Sequence, residues 1–125
     1  MNRPFRHNQD TGQNGEDLAA EFLEDKGYVI LDRNYKFMRG EVDIIAYVGR
    51  EIVFVEVKTR SSLRFGTPEE AVNEEKKVQI KKVAEAWLHE RKMEGAPVRF
   101  DVISILEPKG KDKRIKHFEA AFWYL

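Results

Sequence analysis

Two apolar runs, "GEVDIIAY" (residues 40–47) and "EIVFVEVK" (residues 51–58), lie on either side of a short gap containing Gly49, and each carries carboxylates inside it. Such a density of Val, Ile, Phe and Tyr suits a pleated, half-buried surface, so the runs read as two strands of one hairpin. With Gly49 at the first central position, Gly49-Arg50 forms a type II′ two-residue loop. That loop sets Tyr47 opposite Ile52, Ile45 opposite Phe54, Asp43 opposite Glu56 and Glu41 opposite Lys58. Side chains alternate along a strand, so all eight are expected on one face. A slip of one residue would send Asp43 and Glu56 to opposite faces.

Charged side chains are rarely kept in an apolar run without a partner, because leaving water costs each of them several kcal/mol. Directly opposed residues have Cβ atoms roughly 4.5–5.5 Å apart. Two carboxylates at that separation repel, and either one takes up a proton or a cation sits between them. A hard divalent ion with oxygen ligands, Mg²⁺ or Mn²⁺, is the natural candidate. Lys58 projects from the same face as Glu56 and could stabilise charge or hold a water there. The plainer explanation is a solvated strand end, with Lys58 paired to Glu41. Asp43 and Glu56 each lie within an apolar run, which weighs against it.

The rest of the chain bounds the fold. Its 125 residues, 42% of them hydrophobic, suffice for one modest core. Twenty-two basic and 22 acidic residues cancel, so any polyanion site must be a local cluster. The absence of Cys excludes disulfides, thiolate zinc sites and cysteine-bound iron–sulfur clusters. "MNRPFRHNQDTGQNG" lacks the apolar core of a signal peptide, and no later run approaches a membrane span, so a cytoplasmic protein without a membrane partner is expected.

Residues 1–12 read as a mobile arm and residues 13–125 as a single domain. Leu18, Ala19, Phe22 and Leu23 share one face of a helix from about Gly15 to Lys26, with Gly27 as its stop. "YVILDRNY" (28–35) reads as a strand. After the hairpin, "TRSSLRFGTP" is loop-like, and Pro68 is placed to open a helix from Glu69 to about Met93 with Ile80, Val83, Ala84, Trp87 and Leu88 as its apolar stripe. "VRFDVISIL" (98–106) is a strand, "EPKGKDKR" a charged turn, and "IKHFEAAFWYL" a final strand or apolar tail. The expected fold is α/β, a mixed sheet flanked by helices in the order α-β-β-β-α-β plus a C-terminal strand or tail.

Asp43 in one strand, followed by Glu56-Val57-Lys58 in the next, resembles the PD-(D/E)xK signature of restriction-endonuclease-like nucleases. The longer set "GEDLAAEFLEDKGYVILDRN", "GEVDIIAY", "VFVEVKTR", "FGTPEEAV" and "RFDVI" is similar to the YraN-like family, over roughly residues 12 to 105. That resemblance implies a restriction-endonuclease-like core like that of Holliday-junction resolvases and a predicted Mg²⁺- or Mn²⁺-dependent endonuclease acting on nucleic acid, DNA favoured, branched DNA included. It implies Asp43, Glu56 and Glu16 as catalytic metal ligands, the Val57 carbonyl as a further ligand, and Lys58 as the residue that polarises water or stabilises charge. Val42 stands immediately before Asp43, where the signature's name has Pro. The alternative is a non-catalytic nucleic-acid-binding or adaptor module that kept the fold.

Without the resemblance, Glu16 is a first-turn acid favoured by the helix dipole. Glu41 is either a ligand or the counter-charge of Lys58. Arg60, Arg64 and Lys76 follow the second strand or open the next helix, where they could contact flanking phosphates or simply be solvated. Lys76, Lys77, Lys81 and Lys82 serve solubility, and the densest basic cluster, Lys109, Lys111, Lys113, Arg114 and Lys116, reads as a mobile charged turn, with tracking of a nucleic-acid backbone as the alternative. No role is assigned to His7, His89 or His117. The apolar end "AAFWYL" either finishes the core or buries itself in a homodimer.

Overall fold

The computed structural model describes residues 14–62, 72–110 and 112–122. The arm at 1–12, Arg64, Pro68 and Trp123–Leu125 fall outside them.

Asn14 opens α1 (Gly15–Asp25): its side chain accepts a hydrogen bond from the Asp17 N–H at 2.9 Å, while Glu16 and Asp17 complement the helix dipole. Three strands follow, β1 (Val29–Phe37), β2 (Gly40–Val48) and β3 (Glu51–Arg60). Then come α2 (Glu74–Glu90), β4 (Val98–Leu106) and β5 (Arg114–Phe118). The sheet order is β1-β2-β3-β4-β5. Only β3 and β4 run parallel, since α2 provides the crossover between them. The expected element order is the observed one, with the terminal segment forming an edge strand.

The hairpin register is as expected near the turn, Ile45 facing Phe54 and Tyr47 facing Ile52. Gly49 has φ 60° and Arg50 does not have positive φ, as a type II′ turn requires. Two expectations need correction. The helix expected from Glu69 starts at Glu74, because Asn73 caps it by accepting from the Lys76 N–H at 2.8 Å. β1 and β2 also form a tight hairpin, with Phe37 paired to Gly40 around Met38-Arg39. Met38, not Gly, takes the left-handed conformation there, at φ 55°, so the usual sequence signal was missing.

Each helix covers one face of the sheet. On one side Leu18, Ala19 and Leu23 of α1 pack with Ile44, Ala46, Val53, Val55, Ile103 and Ile105. On the other, Ile80, Val83, Ala84 and Trp87 of α2 pack with Val42, Ile45, Phe54, Phe100 and Val102. Phe122 belongs to this second core, its ring stacked 5.4 Å from Phe100. Phe122 of the apolar end is thus buried in its own chain and offers no surface to a second copy.

Gly40 sits where β2 meets α2: a Cβ there would lie 2.6 Å from Val83 Cγ2 and 3.3 Å from the Gln79 carbonyl oxygen. Gly40→Ala should therefore cost about 1–3 kcal/mol, as overpacking does. A thermal melt indistinguishable from the parent would contradict this close approach.

Candidate active site at the strand fork

The β2–β3 ladder ends at the Ile44–Val55 pair, although both strands continue. β2 runs on beside β1 as far as Gly40, and β3 runs on beside β4 as far as Arg60. The sheet forks here. Asp43 is the first residue of β2 past the last rung, and its Oδ2 accepts the Val57 N–H at 2.8 Å. A side chain thus takes a bond that the ladder would otherwise supply. Val57 contributes this N–H to the cluster, whereas the resemblance implies a role for its carbonyl.

The fork corrects the expected pairing. Asp43 and Glu56 are not ladder partners, and Glu41 pairs with Lys36 of β1 rather than facing Lys58. Alternation also breaks across Asp43, since Val42 packs with α2 while Ile44 packs with α1, so the eight residues do not share one face. The break lets carboxylates from both sides of the sheet act on Asp43.

On the α1 side, Asn34 donates through Nδ2 to Glu16 Oε1 at 2.7 Å and to Glu41 Oε2 at 3.1 Å. Asn34 lies between the rungs Arg33–Ile44 and Tyr35–Val42, across from Asp43, in the left-handed region at φ 52°. Sequence reasoning missed it. The available signal was an Asn inside a strand-like run, a residue depleted in strands but tolerant of that backbone. Gly15 helps bring Glu16 here, because a Cβ at Gly15 would collide with the Thr59 hydroxyl of β3.

On the α2 side, the nearly buried Glu56 carboxylate receives two ammonium groups on the same oxygen: Lys58 and Lys76 each place Nζ 3.3 Å from Oε2. The sequence offers Lys76 as a phosphate contact or a solvated charge; in the fold it joins the carboxylate cluster. Arg60 ends β3, where its carbonyl accepts the Glu107 N–H at 2.7 Å.

Electrostatics single out Asp43. Burial is the largest influence on it, and the charges of Glu56, Glu16 and Glu41 add to burial against the one Val57 hydrogen bond, so its pKa is pushed up to about 7. A cation would relieve that strain, and the donor set is all oxygen, which suits a hard divalent ion. Among the described residues, no three carboxylate or imidazole groups are gathered closely enough to ligate one ion together. The donor chemistry fits Mg²⁺ or Mn²⁺, and the positions of the side chains supply no coordination geometry.

The two described histidines, His89 and His117, are not part of this cluster. His89 is exposed and pairs with Glu94 at 2.7 Å. His117 is buried near the other edge of the sheet, its Nε2 2.7 Å from Asp101 Oδ2 and its Nδ1 2.8 Å from Lys26 Nζ. Asp101 also accepts from Arg99 Nε and Nη2, both at 2.9 Å, and from the Ala120 N–H at 3.0 Å. Burial alone would raise the Asp101 pKa. The bonds from His117, Arg99 and Ala120 outweigh it and hold the carboxyl below its ordinary value.

A family model described as "Uncharacterised protein family UPF0102" matches residues 15–105. Among similar chains is a UPF0102 protein of Dictyoglomus turgidum, 44% identical over 93% of this chain and 99% of its own. Two others are UPF0102 proteins of Geotalea daltonii, 47% identical over 92% and 91% of the respective chains, and of Rhodococcus opacus, 47% identical over 93% and 98%. The matched span runs from the start of α1 into β4 and includes Glu16, Asn34, Asp43, Glu56, Lys58 and Lys76.

Proposed function

The chain belongs to the uncharacterised family UPF0102, and on the geometry of the strand fork we propose that it is a divalent-metal-dependent endonuclease of the PD-(D/E)xK kind, hydrolysing nucleic-acid phosphodiesters, with DNA, branched DNA included, as the favoured substrate. One observation carries this reading: Asp43, at the fork, is surrounded by the charges of Glu56, Glu16 and Glu41 while Lys58 sits on Glu56. A purely structural strand end has no use for such repulsion.

In this reading Asp43, Glu56 and Glu16 would hold Mg²⁺ or Mn²⁺, with the Val57 carbonyl as a further ligand. The ion, when bound, supplies Lewis-acid stabilisation of the charged phosphate. The Val57 N–H holds the Asp43 carboxylate in place through Oδ2. Asn34 keeps Glu16 and Glu41 together and offsets part of their repulsion. Lys58, held on Glu56, orients the attacking water and donates to the oxygen that gains charge as the phosphate is attacked. Lys76, Arg60 and Arg64 bind neighbouring phosphates.

Lys58→Met tests this most directly, since it keeps the stem and deletes the charge. With Mg²⁺ and single-stranded, duplex, flap and four-way-junction substrates, the variant should fold normally and cleave at least about 100-fold more slowly, the usual loss for one electrostatic donor. Cleavage at the parental rate would sink the assignment. A second reading, a nucleic-acid-binding adaptor without catalysis, draws on the two ammonium groups that already neutralise Glu56. It forecasts binding without metal-dependent cleavage of any of these substrates.

A further inference from the structure

We propose that the β1–β2 tip is a second nucleic-acid contact surface, where Lys36, Arg39 and Lys82 bind the phosphates of a strand leaving the carboxylate cluster and Phe37 and Met38 pack against an unpaired base. The proposal rests on the nuclease reading for its partner and extends it to a surface outside the cluster.

Four observations support it. Met38 is 84% exposed and Phe37 40%, side by side at the end of a hairpin, where neither adds to the core. Met38 is also held in the left-handed conformation at φ 55°, a strained choice for a bulky side chain in a turn where glycine fits freely. Lys36, Arg39 and Lys82 are exposed, and among the described residues none has a carboxylate within ion-pairing distance, unlike Lys58, Lys76 and Lys77. Finally, a cleft of about 190 Å³ lies between the tip and α2, lined by Phe37, Met38, Arg39, Gly40, Gln79 and Lys82.

The fold joins this cleft to the site. The tip leads directly into β2, which carries Glu41 and Asp43. On α2, Lys76, Gln79 and Lys82 recur every three residues and so form a row of neighbours winding about a third of the way round the helix, from Lys76 at Glu56 to Lys82 at the tip. At 1.5 Å per residue this row rises about 9 Å along the helix axis. The adjoining cleft beyond Tyr35 shares Phe37 and Lys82 with this surface and carries Glu85 and Glu90 farther along α2. Cations for the backbone, with an apolar pair for a base face, form the combination that unpaired strands recruit, and apolar wedges are used where a duplex is opened.

The test is binding rather than turnover. The full chain, with Ca²⁺ in place of Mg²⁺, is titrated against labelled forked and duplex DNA over a range of salt concentrations, with thermal melts as folding controls. Combined Lys36→Gln, Arg39→Gln and Lys82→Gln should weaken binding at least about tenfold near 0.1 M salt. The dependence of log K on log salt should become shallower by about two to three. Met38→Gly, which suits the turn, should weaken forked DNA about fivefold or more and leave duplex nearly unchanged. Unaltered affinity and salt slope in the triple variant would overturn the proposal, as would a parent protein that binds neither DNA. So would tip variants that alter self-association in sedimentation and leave DNA binding unchanged. If parental-rate cleavage survives Lys58→Met while the triple variant loses binding, the catalytic reading fails and the tip stands. If Lys58→Met abolishes cleavage and the triple variant binds as the parent does, the tip alone fails.

Discussion

Combining Asp43→Asn with Glu56→Gln is expected to lower metal-dependent cleavage by about 1,000-fold or more and to abolish the rise in Tm that Mg²⁺ or Mn²⁺ gives the parent. Removing a single electrostatic group from such a centre already costs about 100- to 1,000-fold. The parent should gain about 1.4 kcal/mol from metal at ten times its Kd, because the ion binds only the folded chain. Full metal stabilisation in the double variant would rule out the fork as the metal site. Asp43→Asn alone gives a further readout in chelator. Burial and the neighbouring carboxylates raise the folded pKa of Asp43 to about 7, whereas the unfolded chain ionises near the ordinary 3.8. The folded chain therefore holds the extra proton between these values. Its contribution to stability is complete below about pH 4 and is lost as pH rises through about 7. Asn keeps an acceptor for the Val57 N–H without this penalty, so the variant should be more stable than the parent by about 2 kcal/mol at pH 8 and not at pH 4. A gain of equal size at both pH values would show that Asp43 is not strained by charge.

The largest loss of stability is expected at Asp101, away from the fork. Asp101→Ala leaves the Arg99 guanidinium and the His117 ring, both nearly buried, without the carboxylate that holds them. Breaking a buried pair in this way costs about 3–5 kcal/mol. For a chain of this length that corresponds to a Tm lowered by about 10–20 °C. Glu51 and Glu119 remain near Arg99, at 3.1 and 3.6 Å, but they are substantially exposed and restore little. The same network sets an acid limit. The Asp101 pKa lies below its unfolded value in the folded chain, so its contribution is present above about pH 4 and lost as pH falls further. Chemical denaturation of parent and variant from pH 3 to pH 8 measures both effects. A difference that stayed constant down to pH 3 would show that ionised Asp101 is not what stabilises this end of the sheet.

The sequence by itself determined the elements and the inner half of the hairpin. β-branched density marked β2 and β3, Gly49 set their turn, and helical spacing selected Leu18, Leu23, Ile80, Val83 and Trp87 as the core-facing residues that they are. These are local matters of period and turn chemistry. The chain also announced Asp43, Glu56 and Lys58 as charges misplaced in apolar runs. It could not say that the ladder stops at Ile44 and Val55, because each strand finds a different neighbour beyond that point, β1 for one and β4 for the other. Only tertiary structure decided that Asn34 would join Glu16 to Glu41, that Lys76 would reach Glu56 from another element, and that His117 would meet Asp101. Each joins residues distant along the chain, and no local propensity encodes where a helix packed by its apolar stripe will place its polar side.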